Sequence, residues 1–195
     1  MERRRDVPLF PLQQPLFPTV TLQLRIFEQR YLNLVRKSLR EGSPFGIVPI
    51  LKGREVGQTP EIHPWGTLVT ITDWDQLNDG LLGIAVSGNQ CLRVDTHHAR
   101  SDGLLVADCD LYGPDPEEAL EVSDQDLVAL LDDLAGQLGR TDLHAGDNCT
   151  VSMLGWRLLT LLPFELQWRL QLFEERNPRT RLDAIRDYLT RLSQV

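Results

Sequence analysis

Lysine is scarce: the chain of 195 residues holds only Lys37 and Lys52. A loop that cradles phosphates ends in Gly-Lys-Ser or Gly-Lys-Thr. Lys52-Gly53 has neither that order nor that spacing, so ATP hydrolysis is not expected. Cysteine is nearly as rare. Cys91, Cys109 and Cys149 lie far apart, which argues against a disulfide framework or a zinc site and fits a reducing cytoplasm. No His-x-x-x-His or Cys-x-x-Cys spacing occurs, and no Gly-x-Ser-x-Gly elbow. His97 and His98 are neighbours on one expected strand, so they point to opposite faces and cannot share an ion. His63 and His144 fall in loops and read as ordinary surface histidines. No metal, cofactor or catalytic residue is expected. No apolar run approaches the roughly 20 residues of a membrane span. The basic opening Met1 to Asp6 leads into a proline-broken strand rather than a signal-peptide core. Neither membrane binding nor secretion is expected.

Hydrophobic residues make up 42% of the chain and charged residues 25%, as in an ordinary globular protein. That length suffices for one sizeable domain or two small packed subdomains. The net charge of −8 opposes nucleic-acid binding as the main role. The charge is uneven. Asp102 to Asp147 carries 13 acidic residues and one basic residue, Arg140. The bland reading, a solvated linker and helix face, outweighs an acidic partner site.

The stretch from Pro8 to Leu39 organises the rest. Val7-Pro8-Leu9-Phe10 is a short apolar run, followed by a proline-punctuated loop from Pro11 to Pro18. Thr21 to Ile26 alternates polar and apolar, the pattern of a half-buried strand. Phe27 is the hinge into a helix over Glu28 to Glu41. Helical spacing puts Phe27, Tyr31, Leu34, Val35 and Leu39 near one face. Arg25, Glu28 and Arg30 read as anchors of the helix start through hydrogen bonds and charge pairs.

These residues resemble the start of the Lon N-terminal domain, the substrate-recruiting module of Lon-type ATP-dependent proteases. The match runs through Pro8, Leu9, Phe10, Pro11 and Leu12, then Leu16, Phe17 and Pro18. It continues through Leu24, Arg25, Ile26, Phe27, Glu28, Arg30, Tyr31, Leu34 and Val35. The family usually has glycine at Thr19 and proline at Gln29. A β-branched residue resists positive φ, so Thr19 argues against the family's usual turn there. Cys91 replaces a usual arginine. The resemblance extends to Phe45-Gly46, to Gly53 through Val56, and to the meander with Gly66-Thr67, Asp79-Gly80, Val86, Gly88, Arg93 and Val94. It returns in the helical tail from Leu161 to Leu182. It implies a stand-alone member of the family, without ATPase or protease domains.

Further strands are expected at Phe45–Leu51, Gly66–Trp74, Leu81–Val86, Cys91–His97 and Leu104–Leu111. Lys52 to Pro64 reads as a loop. Asn78-Asp79-Gly80 and Ser87-Gly88-Asn89 read as turns, and Pro49 as an edge or bulge. Gly113-Pro114-Asp115-Pro116 marks the passage to helices. Ser123 or Asp124 caps the first of these, Asp147 a second to about Leu162, and Pro163 starts a third. Asn177-Pro178 caps and opens the last. The expected fold is α+β. A β-rich subdomain over 1–115, mostly antiparallel and wrapped into a small barrel or sandwich with one crossing helix, precedes a helical subdomain over 120–195.

Two features suggest a binding surface. Strand alternation puts Trp74 with Thr70 and Thr72 on the more polar face of its strand, where an aromatic either packs against a helix or loop, the favoured reading, or anchors a partner. The helix after Asp147 is apolar nearly all round, with Met153 and Trp156 opposite its leucine side. That marks either central burial, the favoured reading, or a second apolar face. The functional expectation is a non-catalytic module that binds unfolded polypeptide segments near Trp74, with the Met153–Trp156 face as second choice. Alternatives are an adaptor docking on one defined protein and an enzyme of unrecognised type.

Overall fold

The structure, a computed structural model, describes residues 1–55 and 60–192. Val56 and Gly57 therefore lie outside the described residues. The chain divides into two compact units, Met1–Pro114 and Asp115–Val195.

The first unit is built on seven strands and one helix. The strands are β1 (Glu2–Leu12), β2 (Thr21–Ile26), β3 (Phe45–Lys52), β4 (Glu61–Ile62), β5 (Trp65–Gln76), β6 (Leu82–Ala99) and β7 (Leu105–Leu111). Helix α1 spans Gln29–Glu41. The strand path runs β1-β7-β6-β5-β3, and a parallel β1–β3 pairing closes it into a small barrel. Closure leaves those five strands paired on both sides, which removes their edges. Val7, Leu9, Val48, Leu68, Leu92, Val94, Leu105, Ala107 and Leu111 form its core. β2 stands off this path and pairs with β6 alone among the described residues.

Three local features depart from the sequence reading. The Arg-rich start belongs to β1, which reaches Leu12 instead of breaking at Pro11. A short strand, β4, lies in the expected Lys52–Pro64 loop, and the His63 N–H donates to the Pro49 carbonyl, 2.8 Å. Most importantly, Ser87-Gly88-Asn89 is no turn. β6 runs straight through it for 18 residues. Gly88 is there for closeness, since a Cβ would lie 2.4 Å from the Phe17 carbonyl oxygen.

That contact explains Thr19. Phe17 to Val20 makes a turn closed by the Val20 N–H donating to the Phe17 carbonyl, 3.4 Å. Pro18 sets the first central position, and Thr19 takes the second at φ 65°. The Thr19 N–H donates to the Gly88 carbonyl and the Gly88 N–H to the Val20 carbonyl, both 2.9 Å. This is a bulge of the type that favours glycine at Thr19's position. The expectation that a threonine would prevent the turn is therefore corrected, because two cross-strand hydrogen bonds hold the strained residue in place. Thr19→Gly is expected to raise stability by up to about 1 kcal/mol, the left-handed penalty less the extra chain entropy of glycine. Urea denaturation checks this, and a destabilised variant would show that the threonine is unstrained.

The second unit is helical: α2 (Gln125–Gln137), α3 (Val151–Leu161), α4 (Leu166–Glu174) and α5 (Pro178–Leu192). Asp124 stands at the start of α2, but its side chain does not cap it as expected, because its carboxylate accepts from the Glu121 N–H instead. At the start of α5, Asn177 Oδ1 accepts from the N–H groups of Arg179 and Thr180. The cap of α3 is Thr150, not Asp147; its Oγ1 accepts from the Met153 N–H, 3.3 Å. Helix α4 begins at Leu166, three residues after Pro163. All-round apolarity gave the right place for α3. Val151, Leu154, Trp156, Leu158 and Leu159 are all buried.

Arginines of α4–α5 explain much of the acidic stretch. Asp115 pairs with Arg176 and Arg181, Glu118 with Arg179, Asp124 with Arg179 and Arg186, and Asp126 with Arg186. Burial opposes the charge on Asp124. The Glu121 N–H hydrogen bond and the two guanidinium groups nevertheless hold its carboxyl below the usual range. These carboxylates organise the unit rather than forming a merely solvated face.

Candidate binding surface

Phe27 is the first surprise at the site. Glu28 is extended, at φ −77° and ψ 136°, so helical periodicity does not reach back to Phe27. Phe27 leaves the Tyr31 face and stands 55% exposed, while Tyr31, Leu34 and Val35 are buried. Leu39, in the last turns of α1, is 41% exposed.

Trp74 is the second. An unpaired residue in β5 separates Ile71↔Val86 from Asp73↔Ala85. This bulge at Thr72 shifts the alternation by one. Trp74 is therefore opposite Ile84, which is opposite Leu24 on its other side, and it no longer shares a face with Thr70 and Thr72. Thr72 Oγ donates instead to the Ala85 carbonyl, 3.3 Å, and Thr70 Oγ accepts from Asn89 Nδ2, 3.5 Å. One bulge thus separates Trp74 from the two threonines the sequence grouped with it. Trp74 is 60% exposed.

Phe27, Leu39 and Trp74 converge on one groove of about 530 Å³. Leu32, Val35 and Arg36 of α1 form one wall, and Gln76, Gly80, Leu81 and Leu82 of the β5–β6 hairpin form the other. The hairpin is held by the Leu77 N–H donating to the Leu81 carbonyl and by Gly80 at φ 82°. Ile26 and Phe27 also line a second cavity of about 280 Å³ with Phe10, Leu12, Tyr31, Glu28 and Glu55. Phe27 is thus a ridge between two concavities. Its exposure could have been found in the sequence only by placing the helix start at Gln29.

The charged trio at the helix start anchors it. Arg30 pairs with Glu28 at 2.9 Å, donates to the Gly103 carbonyl at 3.0 Å, and lies over the Tyr31 ring. Arg25 pairs with Asp79 of the hairpin. Pro11, Phe17 and Pro18 are buried and Pro8 half-buried, so these signature residues serve structure.

The second-choice surface fails at Trp156. Its ring is 1% exposed, with the Arg181 guanidinium 3.5 Å from the ring centroid and Phe173 beside it. Trp156 is inside its unit, and of the proposed pair Met153–Trp156 Met153 alone is half-exposed. Among the described residues, no group of three or more His, Cys, Asp or Glu is placed to hold a metal ion. No described helix is long and apolar enough to cross a membrane.

A family model described as the ATP-dependent protease La (LON) substrate-binding domain matches residues 6–191. The chain belongs to this Lon substrate-binding domain family. A crystal structure titled Lon N-terminal domain protein from Xanthomonas campestris is 34% identical. That likeness covers 96% of this chain and 99% of the other, with a TM-score of 0.76. The N-terminal domain of a Mycobacterium avium complex Lon protease shares the fold at 14% identity and a TM-score of 0.64, over 95% of this chain and 98% of that one. A curated Schizosaccharomyces pombe relative, named a LON peptidase N-terminal domain and RING finger protein, is 24% identical over 99% of this chain. The chain spans 46% of that relative's length. The Lon-domain chain thus has the α+β fold its sequence implied, and its barrel carries the groove.

Proposed function

We propose that this Lon substrate-binding domain is a non-catalytic module that holds unfolded polypeptide segments in the groove of its first unit. The observation that carries the reading is the convergence of three exposed large apolar side chains, Phe27, Leu39 and Trp74, on one concave surface. Large apolar side chains gathered at the surface mark interaction sites more than single ones do. Flat, rigid aromatics accept varied clients without large entropy loss. The family description supports a protein client, and the missing phosphate loop supports a role without ATP turnover. Three cysteines far apart in the chain, two of them buried, suit a reducing cytoplasm. Burial pushes the Cys109 thiol up to about 12, which keeps it inert.

A second reading is docking on one defined protein. It is favoured by the fission yeast relative, whose name joins the Lon domain to a RING finger. The test is fluorescence anisotropy of a labelled unfolded peptide rich in aromatic and basic residues. Trp74→Ala and Phe27→Ala are each expected to weaken binding about tenfold or more, as for an interface aromatic. Folded variants that bind like wild type would remove the groove from consideration. Trp156→Ala is no control here, because the ring is part of a core.

A further inference from the structure

The second cavity lies along a strand edge, not over a sheet face. Gln23, Leu24, Arg25 and Ile26 all line it. A face shows alternate residues only, so four in succession mark an edge. β2 pairs with β6 on one side, and no described strand pairs with the other. The ladder starts where the Gly88 N–H donates to the Val20 carbonyl. Antiparallel alternation then makes Leu22↔Val86, Leu24↔Ile84 and Ile26↔Leu82 the hydrogen-bonded pairs. The N–H and C=O groups of Gln23 and Arg25 consequently point away from β6, along the cavity.

We infer that client segments add to the outer edge of β2 as an extra strand, seating an aromatic and a basic side chain in the cavity beside it. This rests on the reading that the first unit holds unfolded segments, and it states how they are held. The backbone edge demands an extended occupant, because only extended chain matches donors and acceptors that repeat every second residue. The cavity walls supply the side-chain preference. Phe10, Leu12, Phe27 and Tyr31 are apolar or aromatic. Two carboxylates, Glu28 and Glu55, stand with them. Glu28 is already paired with Arg30 and the cation of Arg25 with Asp79, so the charge left facing the cavity is that of Glu55, whose Oε1 accepts the neutral Gln13 N–H. A lysine or arginine on the client complements that charge. A strand along β2 would lead to the Phe27 ridge, beyond which the Trp74 groove takes the next apolar residue. One edge and two concavities thus read a single extended segment.

The experiment uses a ten-residue labelled peptide of alternating phenylalanine and lysine, N-methylated at one backbone amide at a time. Anisotropy is read against the whole chain. Methylation at every second position should weaken binding about tenfold or more, with the intervening positions within about twofold, because only alternate amides face β2. Gln23→Pro removes one outward N–H without touching the β6 ladder. It should weaken the unmethylated peptide comparably while its thermal melt stays cooperative. Replacing the lysines by glutamates should also cost about tenfold. Binding that is indifferent to methylation, or lost equally at every position, overturns the edge while leaving the groove reading intact. A failure of the unmethylated peptide to bind overturns both.

Discussion

Replacing Tyr31 with alanine is expected to destabilise the first unit by about 3–5 kcal/mol, the range for deleting a large buried ring. Tyr31 is buried, and its ring stacks on Phe10 at 4.1 Å with 24° between planes. Phe10 in turn touches Phe45 of β3, with centroids 6.4 Å apart, so the ring ties α1 to two barrel strands. The Arg30 guanidinium lies 4.8 Å from the Tyr31 centroid, which adds a cation–π contact. Alanine would leave a cavity that the β strands cannot collapse to fill. Tyr31→Phe keeps the stack and should lose only the hydroxyl's share. Burial, with Glu28 and Glu55 nearby, pushes the phenol up to about 12, against the opposing pull of Arg30. The folded value lies above the unfolded value of about 10. The contribution is therefore complete below pH 10 and is lost as pH rises through 12. Guanidinium denaturation of wild type, Tyr31→Ala and Tyr31→Phe checks the order. A loss below about 1 kcal/mol for the alanine variant would place the ring outside the core.

Arg181→Ala should cost the second unit a similar amount, about 3–5 kcal/mol, the range for breaking a buried ion pair from one side. The side chain is wholly buried. Its guanidinium donates to Asp115 at 2.5 Å, to Ser152 Oγ at 3.2 Å and to the Glu175 carbonyl at 2.9 Å, while covering the Trp156 ring. Removing it takes one of two guanidinium partners from a carboxylate that is 4% exposed, leaving Arg176 at 3.0 Å and the Ser152 hydroxyl at 2.7 Å. It also uncovers one face of Trp156. The pairs Arg181→Met with Asp115→Leu should recover part of the loss, since apolar replacement relieves the desolvation of both charges. Tryptophan fluorescence during urea unfolding follows this unit in a background with Trp65 and Trp74 replaced by phenylalanine, since those two report on the first unit. An Arg181→Ala protein as stable as wild type would mean that the network contributes nothing beyond its own desolvation.

Legibility in the sequence followed range. Where a signal is local, the reading was sound. The alternation of Thr21 to Ile26, the Asp79-Gly80 turn and the Asn177-Pro178 helix start all depend on neighbours in the chain. Where distant segments decide, it failed. Gly88 looks like a turn residue until the Phe17 carbonyl, seventy residues earlier, is seen to need its missing Cβ. Trp74 changes face because of a bulge set by pairing with β6, which strand periodicity cannot anticipate. Central burial, the favoured reading of the α3 helix, holds for Trp156; only its second-choice use as a surface falls, because nothing near it in sequence announces Arg181. The groove itself was half visible. The sequence names Trp74 for it but puts Phe27 and Leu39 on the buried face of α1: for Phe27, because a helical wheel that includes it starts two residues before the helix does.

The closure of the barrel has a consequence for synthesis on the ribosome. β1 pairs with β7, from Glu2↔Leu111 to Leu9↔Leu105. The first strand of the unit thus waits for nearly its last residues. Until β7 leaves the exit tunnel, β1 holds an unpaired edge and an apolar face of Val7 and Leu9, with Phe10 on the other face. Such non-local pairing folds slowly and exposes a nascent chain to aggregation. The charges of Arg3, Arg4 and Arg5 at that waiting edge are the kind of guard that keeps one unpaired strand from finding another.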